Sequence, residues 1–445
     1  MGRLFGTDGV RGRFGRDLTT DLARELGRAA VVVLARYERD APTFVIGRDT
    51  RASGEPLEAA LVEGITRGGG DVYLAGIEPT PAIAFLTTAL SAGSGVVISA
   101  SHNPPEDNGI KFFGPFGFKL SDDLEGEIEA EVASGEGDIG RQGRVLDPPA
   151  GAPEYVDHVV AAAETRLDGM RIVVDCANGA ASRLAPEVLR RVGAEVYPIF
   201  AEPDGTNINV GCGALHPEVV AGAVRAAGAD AGVAFDGDAD RALFADAGGN
   251  VIDGDQVLAA CAIEMKARGR LDGDLVVSTV MANLGLRVAM EREGIRLLQA
   301  PVGDRYVLEQ MQEHGAVLGG EQSGHVIFRD HATTGDGLIT AARFLSLARR
   351  KGVSVAELAG VMRRFPQVMV NVEVGHRDGL EDAGPVWEAV RAVEAELGET
   401  GRVLVRASGT EPLVRVMVEA ETEEAARRHA ETLAERVRAT LGRGA

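Results

Sequence analysis

The chain has 445 residues, of which 45% are hydrophobic and 4% aromatic, a composition and length that suit about three or four α/β domains. Its formal net charge of −21 predicts an acidic surface that repels polyanions, which argues against nucleic acids and anionic membranes as partners. Three cysteines without C-x-x-C spacing, and no apolar run long enough to span a bilayer, predict a cytoplasmic protein without disulfides or structural zinc.

Three stretches of the chain repeat one pattern, in which an apolar strand, a polar loop, a helix, a glycine and a second strand follow one another. They cover residues 43–74, 171–199 and 274–300. This order is typical of α/β units. The sequence therefore predicts an α/β fold with three related units built on mixed sheets.

Changes of composition along the chain predict the domain boundaries. Residues 133–155 are rich in glycine, proline and charge, which predicts a linker, and a weaker boundary lies near residues 248–255. After residue 366 an alternating apolar run, a long helix, two strands and a terminal helix predict a smaller α+β domain. The four predicted domains are residues 1–150, 151–252, 253–366 and 367–445.

The segment S-A-S-H-N-P at residues 99–104 ends an apolar run that predicts a buried strand. The hydroxyl of Ser101 would emerge where this strand ends, which suits a nucleophile, although a serine that only caps a turn is the alternative. His102 or Lys111 could transfer the proton. None of the four lysines precedes Ser or Thr, and no G-x-S-x-G motif surrounds Ser101, so neither a P-loop ATPase nor an α/β-hydrolase is predicted.

The segment D-G-D-A-D-R at residues 236–241 follows a second apolar run. Asp236, Asp238 and Asp240 offer three carboxylates from one loop, as a hard divalent cation requires. A calcium loop would need glycine at its sixth position and glutamate at its twelfth, where Arg241 and Ala247 stand. We therefore expect Mg²⁺ here, with a solvated acidic turn as the alternative, and Arg241 would offset charge on a phosphoryl group.

Three other loops offer groups for a sugar phosphate. Arg11 and Arg305 follow glycine-rich turns and could each bind a phosphate, with surface ion pairs as an equal alternative. Glu321 and Ser323 lie in the run G-G-E-Q-S-G-H, which suits sugar hydroxyls unless it is only a flexible connector.

The segment R-A-S-G-T-E-P at residues 406–412 lies between two predicted strands. Its hydroxyls, glycine amides and arginine match the acceptor oxygens of a phosphate. The predicted anion-binding residues are Arg406, Ser408, Gly409, Thr410 and Arg415. A plain turn with surface arginines is the alternative.

The motifs F-G-T-D-G-V-R-G, S-A-S-H-N-P, D-G-D-A-D-R, G-E-Q-S-G-H and R-A-S-G-T-E-P, taken in this order, resemble those of the α-D-phosphohexomutase superfamily over nearly the whole chain. The resemblance implies four domains around a central cleft, the last of which closes over the substrate. It implies that Ser101 carries a phosphoserine, and that Mg²⁺ is held by the Ser101 phosphate and the three aspartates. Matching sugar and distal-phosphate loops contain Glu321, Ser323, Ser408, Gly409, Thr410 and Arg415.

The resemblance also implies the reaction, a reversible transfer of a phosphoryl group between two positions of a hexose phosphate. The motifs G-E-Q-S-G-H, G-T-N-I-N and R-A-S-G-T-E-P-L-V-R-V-M-V-E resemble those of members that act on glucosamine phosphates. Glucosamine 1,6-bisphosphate is then the expected intermediate and activator, and the product would feed UDP-N-acetylglucosamine and cell-wall precursor synthesis. Alternatives are a mannose or glucose phosphate substrate, a magnesium phosphatase, and a non-catalytic sugar-phosphate-binding protein. Association into a homodimer stays open.

Overall fold

The computed structural model describes residues 4–6, 8–37, 41–135, 137–147, 154–375, 379–408 and 412–442. The chain divides into two compact units. The first comprises Met1–Met281 with Gly294–Val361, and the second comprises Ala282–Glu293 with Met362–Ala445. Within the described ranges no helix has both the length and the apolar character needed to cross a membrane.

The first sheet carries the segment that contains Ser101. Its strands are β1 (Val10–Arg13), β2 (Thr43–Arg48), β3 (Asp71–Ile77), β4 (Ser94–Ile98), β5 (Asp107–Phe113) and β6 (Val145–Leu146), with helices α1 (Thr20–Leu34), α2 (Gly54–Gly68), α3 (Thr80–Ala89) and α4 (Asp122–Ser134). The strand order is β1-β5-β4-β2-β3-β6, and β5 runs antiparallel to β1 and β4. Strand β4 therefore lies inside the sheet and delivers residues 99–104 at its carboxyl end.

The segment predicted as a linker, residues 133–155, differs from that expectation. Val145 pairs with Val72, so β6 extends the first sheet beside β3. Arg141 also forms an ion pair with Asp71 at 3.0 Å. A strand of two residues is too short for an alternating pattern to reveal it in the sequence.

The second sheet carries the acidic segment. Its strands are β7 (Arg171–Asp175), β8 (Glu195–Ile199), β9 (Ala231–Phe235), β10 (Ala242–Asp246) and β11 (Val251–Ile252), with helices α5 (Tyr155–Ala162), α6 (Ala181–Val192) and α7 (Pro217–Ala227). The order is β11-β10-β9-β7-β8, with β7, β8 and β9 parallel. Residues 236–241 form the turn between the antiparallel pair β9 and β10.

The third sheet is smaller. Its strands are β12 (Leu275–Thr279), β13 (Arg296–Ala300), β14 (Leu318–Gly320) and β15 (Val326–Phe328), and this part of the chain adds helices α8 (Gly254–Ala267), α9 (Leu284–Arg292), α10 (Asp304–His314), α11 (Gly337–Lys351) and α12 (Val355–Ala359). The order is β13-β12-β14-β15. The turn between β14 and β15 holds Glu321 and Ser323. Helix α9 belongs to the second compact unit.

The second compact unit is built on an antiparallel sheet. Its strands are β16 (Gln367–Glu373), β17 (Arg402–Ala407) and β18 (Leu413–Glu419), with helices α13 (Gly384–Leu397) and α14 (Glu423–Leu441). Short 3-10 turns of the chain lie at Gly213–Leu215, Asp272–Asp274 and Gly398–Thr400. Val372, Val414, Val416 and Leu433 form part of one buried core. The predicted fold, three α/β units followed by a smaller α+β domain, is confirmed.

Glycines end the helices of the repeated pattern. Gly69 and Gly193 follow α2 and α6 with φ of +102° and +112°, a region that side-chain-bearing residues avoid. Their amides return to carbonyls of the last helical turn, as at many helix C-termini. The chain can therefore turn directly into the next strand, which explains the glycine in the first two predicted repeats.

Helices α1 and α2 approach closely at two glycines. A Cβ atom on Gly64 would lie 1.9 Å from the carbonyl oxygen of Arg24, and one on Gly27 would lie 2.6 Å from that of Leu61. Both clashes involve helix backbone, which cannot rotate away. We expect Gly64→Ala to cost about 1–3 kcal/mol of unfolding free energy, because the two helices must separate.

The urea midpoint measures this prediction, with Gly126→Ala as the matched control. Gly126 lies in α4 and is exposed, with no atom within 4 Å of a built Cβ. Alanine there should stabilise the protein by about 0.5–1 kcal/mol, because it restricts the unfolded chain. Equal midpoints for the two variants would contradict the close helix contact.

Candidate active site

Ser101 lies on a sharp turn after β4. Its backbone is left-handed, with φ +50°, and its side chain is 1% exposed. The hydroxyl Oγ donates a hydrogen bond to Asp236 Oδ2 at 2.6 Å, and His102 Nδ1 lies 3.3 Å from the same oxygen. The predicted nucleophile and the predicted acidic loop, 135 residues apart in the sequence, therefore meet.

The turn between β9 and β10 brings three carboxylates together. Oxygens of Asp236, Asp238 and Asp240 lie within 4.8 Å of one another, and all three residues are buried. Burial most strongly, and then Asp240 and Asp238, raise the pKa of Asp236 well above its ordinary value. Such a cluster is costly unless a cation or hydrogen bonds offset the charges.

Two buried oxygens of this trio fit a cation. Asp238 Oδ1 and Asp240 Oδ1 have no hydrogen-bond partner among the described residues, although Arg241 Nε lies 3.7 Å from the latter. Buried carboxylate oxygens normally have partners. An all-oxygen set of three carboxylates, beside the hydroxyl of Ser101, suits a hard divalent ion such as Mg²⁺.

Lys111 and His102 are in opposite protonation states near neutral pH. The Lys111 ammonium lies 3.0 Å from Asp8 and 3.3 Å from Asp238. Burial opposes this charge, but the two carboxylates outweigh burial and raise the pKa of Lys111. Burial, followed by Arg241 and Arg11, lowers the pKa of His102 to about 4. Lys111 is therefore a fixed cation, whereas the imidazole of His102 is neutral and can accept a proton.

A cavity of about 480 Å³ lies beside these groups, and Asp8, Arg11, His102, Arg241, Glu321 and His325 are among its lining residues. Asp8 accepts bonds from Arg11 and, at 2.6 Å, from Lys119. Arg11 and Arg241 give this largely charged cavity two guanidinium groups for an anion. The size suits a small ligand.

The turn between β14 and β15 supplies polar groups to the same region. Glu321 Oε1 accepts a bond from the amide of Gly303 at 3.2 Å. The buried Ser323 Oγ has no hydrogen-bond partner in the described part of the chain. His325 Nδ1 lies 3.5 Å from Asp240, and His325 Nε2 accepts from the amide of Gly335 at 3.0 Å. The motif G-E-Q-S-G-H offers this imidazole together with the carboxylate and hydroxyl of Glu321 and Ser323.

The structure does not bring Arg305 to this cavity. Its guanidinium pairs with Asp122 and donates to the carbonyl of Leu120 at 2.6 Å. Arg305 instead lines a neighbouring cavity of about 330 Å³. The structure therefore contains the alternative interaction, an ion pair with the exposed Asp122.

The predicted anion site lies in the second compact unit. Arg406 and Arg415 are directly opposite each other on β17 and β18. Burial and then Arg415 lower the pKa of Arg406, and like charges in this cross-strand position repel. Ser408 is buried at the end of β17, whereas Gly409 and Thr410 lie outside the residues that the structure describes.

Some residues of the site carried no sequence signal. Thr80, the first residue of α3, donates to Asp238 Oδ2 at 2.7 Å. Arg51 is fully buried and pairs with Asp49 at 2.9 Å. Asn209 reaches the backbone of Ser101 from the second sheet's loops. Arg51 stands in R-D-T-R, part of a predicted loop, and Asn209 ends G-T-N-I-N, a motif that carries the family resemblance. Neither pattern predicted these contacts.

Four family models match the chain in order. They describe phosphoglucomutase/phosphomannomutase α/β/α domain I over residues 2–138, domain II over 153–249 and domain III over 253–365, and the C-terminal domain over 369–436. Together the matched ranges cover most of the chain.

Curated relatives and a solved structure are also similar. A protein named phosphoglucosamine mutase from Acidothermus cellulolyticus is 54% identical, covering 99% of this chain and 96% of its own length. One of the same name from Desulforamulus reducens is 52% identical, with 94% and 95% covered. The crystal structure of a phosphoglucomutase/phosphomannomutase family protein from Burkholderia thailandensis is 27% identical, with a TM-score of 0.84 and coverage of 98% and 97%.

Proposed function

The chain belongs to the phosphoglucomutase/phosphomannomutase family, and on this premise we propose that it interconverts glucosamine 6-phosphate and glucosamine 1-phosphate. Relatives that share more than half of its residues along nearly the full length carry the name of that isomerase. The observation that carries the chemistry is the 2.6 Å contact between the Ser101 hydroxyl and the buried carboxylate trio. It pairs a nucleophile with a cation-binding loop.

We propose that Ser101 carries the phosphoryl group. In the first step the bond between phosphorus and Ser101 Oγ breaks, and a bond between phosphorus and the sugar O1 forms. The bound 1,6-bisphosphate then reverses its orientation. In the second step the phosphoryl group on O6 returns to Ser101 Oγ, so that no net phosphate or water is consumed.

Asp236, Asp238 and Asp240, with the phosphate of Ser101, would hold Mg²⁺, which supplies charge stabilisation for the transferring phosphoryl group. The two carboxylate oxygens without hydrogen-bond partners support this assignment. Arg241, whose amide donates to Asp236 Oδ1 at 3.2 Å, would add a second positive charge on the same loop.

His102 is the proposed proton carrier. Its Nδ1 lies 3.3 Å from Ser101 Oγ, within reach of the proton that leaves Ser101 when this oxygen accepts a phosphoryl group. The alternative, Lys111, is held between Asp8 and Asp238. We assign Lys111 to charge stabilisation instead.

The substrate contacts stay predictions. Glu321 and Ser323 are proposed to bind sugar hydroxyls, and Arg11, which lines the 480 Å³ cavity, a phosphate. The distal phosphate is assigned to the second compact unit, to Arg406, Ser408, Gly409, Thr410 and Arg415. The cross-strand position of Arg406 and Arg415 supports that assignment, because it places two guanidinium groups side by side, and arginine suits the paired hydrogen bonds of a phosphate. A phosphate role for Arg305 has no such support, since its guanidinium is already engaged.

Further predictions concern the setting of the enzyme. We propose a cytoplasmic location and a product that supplies UDP-N-acetylglucosamine synthesis. The homodimer and the four-domain division at residues 150, 252 and 366 also stay predictions.

Rates of isomerisation on three hexose 6-phosphates test the substrate. We expect kcat/KM for glucosamine 6-phosphate to exceed the values for mannose 6-phosphate and glucose 6-phosphate by at least about tenfold. A site that binds the amino group would leave polar groups of the protein unpaired when a sugar without that group is bound. Mannose 6-phosphate and glucose 6-phosphate serve as controls, because they carry the same 6-phosphate but a hydroxyl in place of the amino group. A preference for either would refute the glucosamine assignment, and stoichiometric release of inorganic phosphate would favour a phosphatase.

A further inference from the structure

Two side chains from other loops hold the turn that contains Ser101. The carbonyl of Ser101 accepts hydrogen bonds from Arg51 Nη2 and Asn209 Nδ2, both at 2.9 Å. The carbonyl of Asn103 accepts from the same two groups, at 2.8 Å and 3.1 Å. Two donors and two acceptors thus form a set of four hydrogen bonds, which we call the carbonyl clamp.

Arg51 is fixed on every side. It is 0% exposed, its Nε donates to Asp49 at 2.9 Å, and its Nη1 donates to the carbonyl of Asp107 at 2.9 Å. Asp49 also accepts from Ser99 Oγ at 2.6 Å, and this oxygen accepts from the amide of Ser101 at 2.9 Å. Arg51 and Asp49 therefore restrain both sides of Ser101, its amide and its carbonyl.

Asn209 connects this turn with the acidic loop. Its backbone is left-handed, with φ +60°, and its backbone N–H donates to the carbonyl of Ala177 at 2.9 Å. A Cβ on Gly237, between Asp236 and Asp238, would lie 2.5 Å from the carbonyl oxygen of Ser101 and 2.9 Å from Asn209 Nδ2. The Ser101 turn, Asn209 and the acidic loop are thus in direct contact.

The clamp acts on a strained residue. A residue other than glycine at positive φ persists only where its surroundings enforce it, and Ser101 adopts φ +50°. Since φ and ψ of Ser101 set the direction of Oγ, we propose that Arg51 and Asn209 are positioning residues, which hold the Ser101 carbonyl and so aim its hydroxyl at the carboxylate trio. This inference rests on the proposed function, in which Ser101 Oγ is the reacting atom.

Asn209→Gly tests the clamp, because glycine keeps the left-handed backbone and removes only the side-chain amide. Enzyme phosphorylated on Ser101 is mixed with glucosamine 6-phosphate, and the single-turnover rate constant of phosphoryl transfer is measured. We expect this constant to fall about tenfold to a hundredfold, because the reacting oxygen is less well oriented. KM should stay within about twofold, since the Asn209 side chain bonds to the carbonyls of Ser101 and Asn103 and to none of the residues predicted to bind the sugar or a phosphate. A first-order rate constant is independent of the folded fraction, so reduced stability alone would not change it.

Asn207→Ala is the matched control. Asn207 lies in the same loop, and its side chain bonds only to the backbone of Glu202 and Asp204 among the contacts that the structure shows. Transfer should stay within about twofold of the wild type. A second variant, Arg51→Lys, retains the positive charge, but its single ammonium group cannot reach all five acceptors of Arg51, which are the Asp49 carboxylate and four carbonyls. We expect a larger loss in this variant. If that variant does not fold, Asn209→Gly alone decides.

The outcomes separate the two proposals. An unchanged transfer constant in Asn209→Gly, or an equal fall in Asn207→Ala, would overturn the clamp while leaving the proposed function intact. A wild-type enzyme that does not interconvert the glucosamine phosphates would overturn the proposed function, whatever the variants do.

Discussion

Replacing Ser101 with alanine is expected to lower the rate of isomerisation by at least about 10⁴-fold, because the atom that accepts and returns the phosphoryl group is removed. We expect Ser101→Ala to fold, since the substitution removes one side-chain hydrogen bond, the one donated to Asp236. Turnover of glucosamine 6-phosphate and mass-spectrometric mapping of phosphate on the peptide around residue 101 together measure the effect.

Ser94→Ala is the control for Ser101→Ala. Ser94 is also buried, on the strand that leads to Ser101, and its hydroxyl donates to the carbonyl of Phe113 at 2.8 Å. Its loss should cost about 1 kcal/mol of stability and leave the phosphate on Ser101 in place. Full activity of Ser101→Ala, or phosphate mapped to another residue, would show that the carrier has been misassigned.

Asp236→Asn is expected to lower kcat/KM by about 10³-fold or more in the presence of Mg²⁺, because several kcal/mol of charge stabilisation depend on the bound cation. A second readout is independent of turnover. Mg²⁺ should raise the melting temperature of the wild type, since a ligand that binds only the folded state stabilises it, and this rise should be absent in Asp236→Asn.

The melting temperatures of the metal-free proteins separate loss of metal binding from general destabilisation. Asp236 is 1% exposed, and no lysine or arginine of the described residues forms an ion pair with it within 4 Å. Without metal, Asp236→Asn should therefore unfold at a temperature no lower than that of the wild type, because burial and the neighbouring carboxylates raise the pKa of Asp236 and make its ionisation costly in the folded protein, a cost that the amide does not have.

Asp246→Asn is the control for the metal prediction. Asp246 is buried at the end of β10 and accepts bonds from the amide and side chain of Asn250. This variant should retain the Mg²⁺-dependent rise in melting temperature. EDTA should abolish wild-type activity and Mg²⁺ should restore it. Undiminished turnover after complete removal of divalent ions would contradict a metal-dependent site.

The features that could be predicted from the sequence are local. The strand before Ser101 and the strand before Asp236 are each marked by an apolar run. The functional side chains of the loop that follows each strand are close together in the sequence. The same holds for the alternating strand β16 and the glycine-terminated helices. Contiguous patterns of this kind depend on the chain's own periodicity.

The features that could not be predicted depend on distant residues. Arg51 contacts Ser101 across 50 positions and Asn209 contacts it across 108, and no local pattern signals such a meeting. Arg305 was weighed equally as a phosphate ligand and as an ion-pair partner, because its partner Asp122 lies 183 positions away. For the same reason the sequence left open whether His102 or Lys111 moves the proton, since the carboxylates that pair with Lys111 come from two distant loops, those of Asp8 and Asp238.

The left-handed turn at position 101 also restricts which amino acid could act there as the proposed phosphate carrier. Threonine offers the same alcohol chemistry as serine, yet its branched β-carbon makes positive φ sterically unfavourable. The choice between these two hydroxyl residues is thus made by backbone geometry and not by nucleophilicity. In this protein the conformation of one backbone turn thus limits which residue types can act as the nucleophile, independently of the substrate.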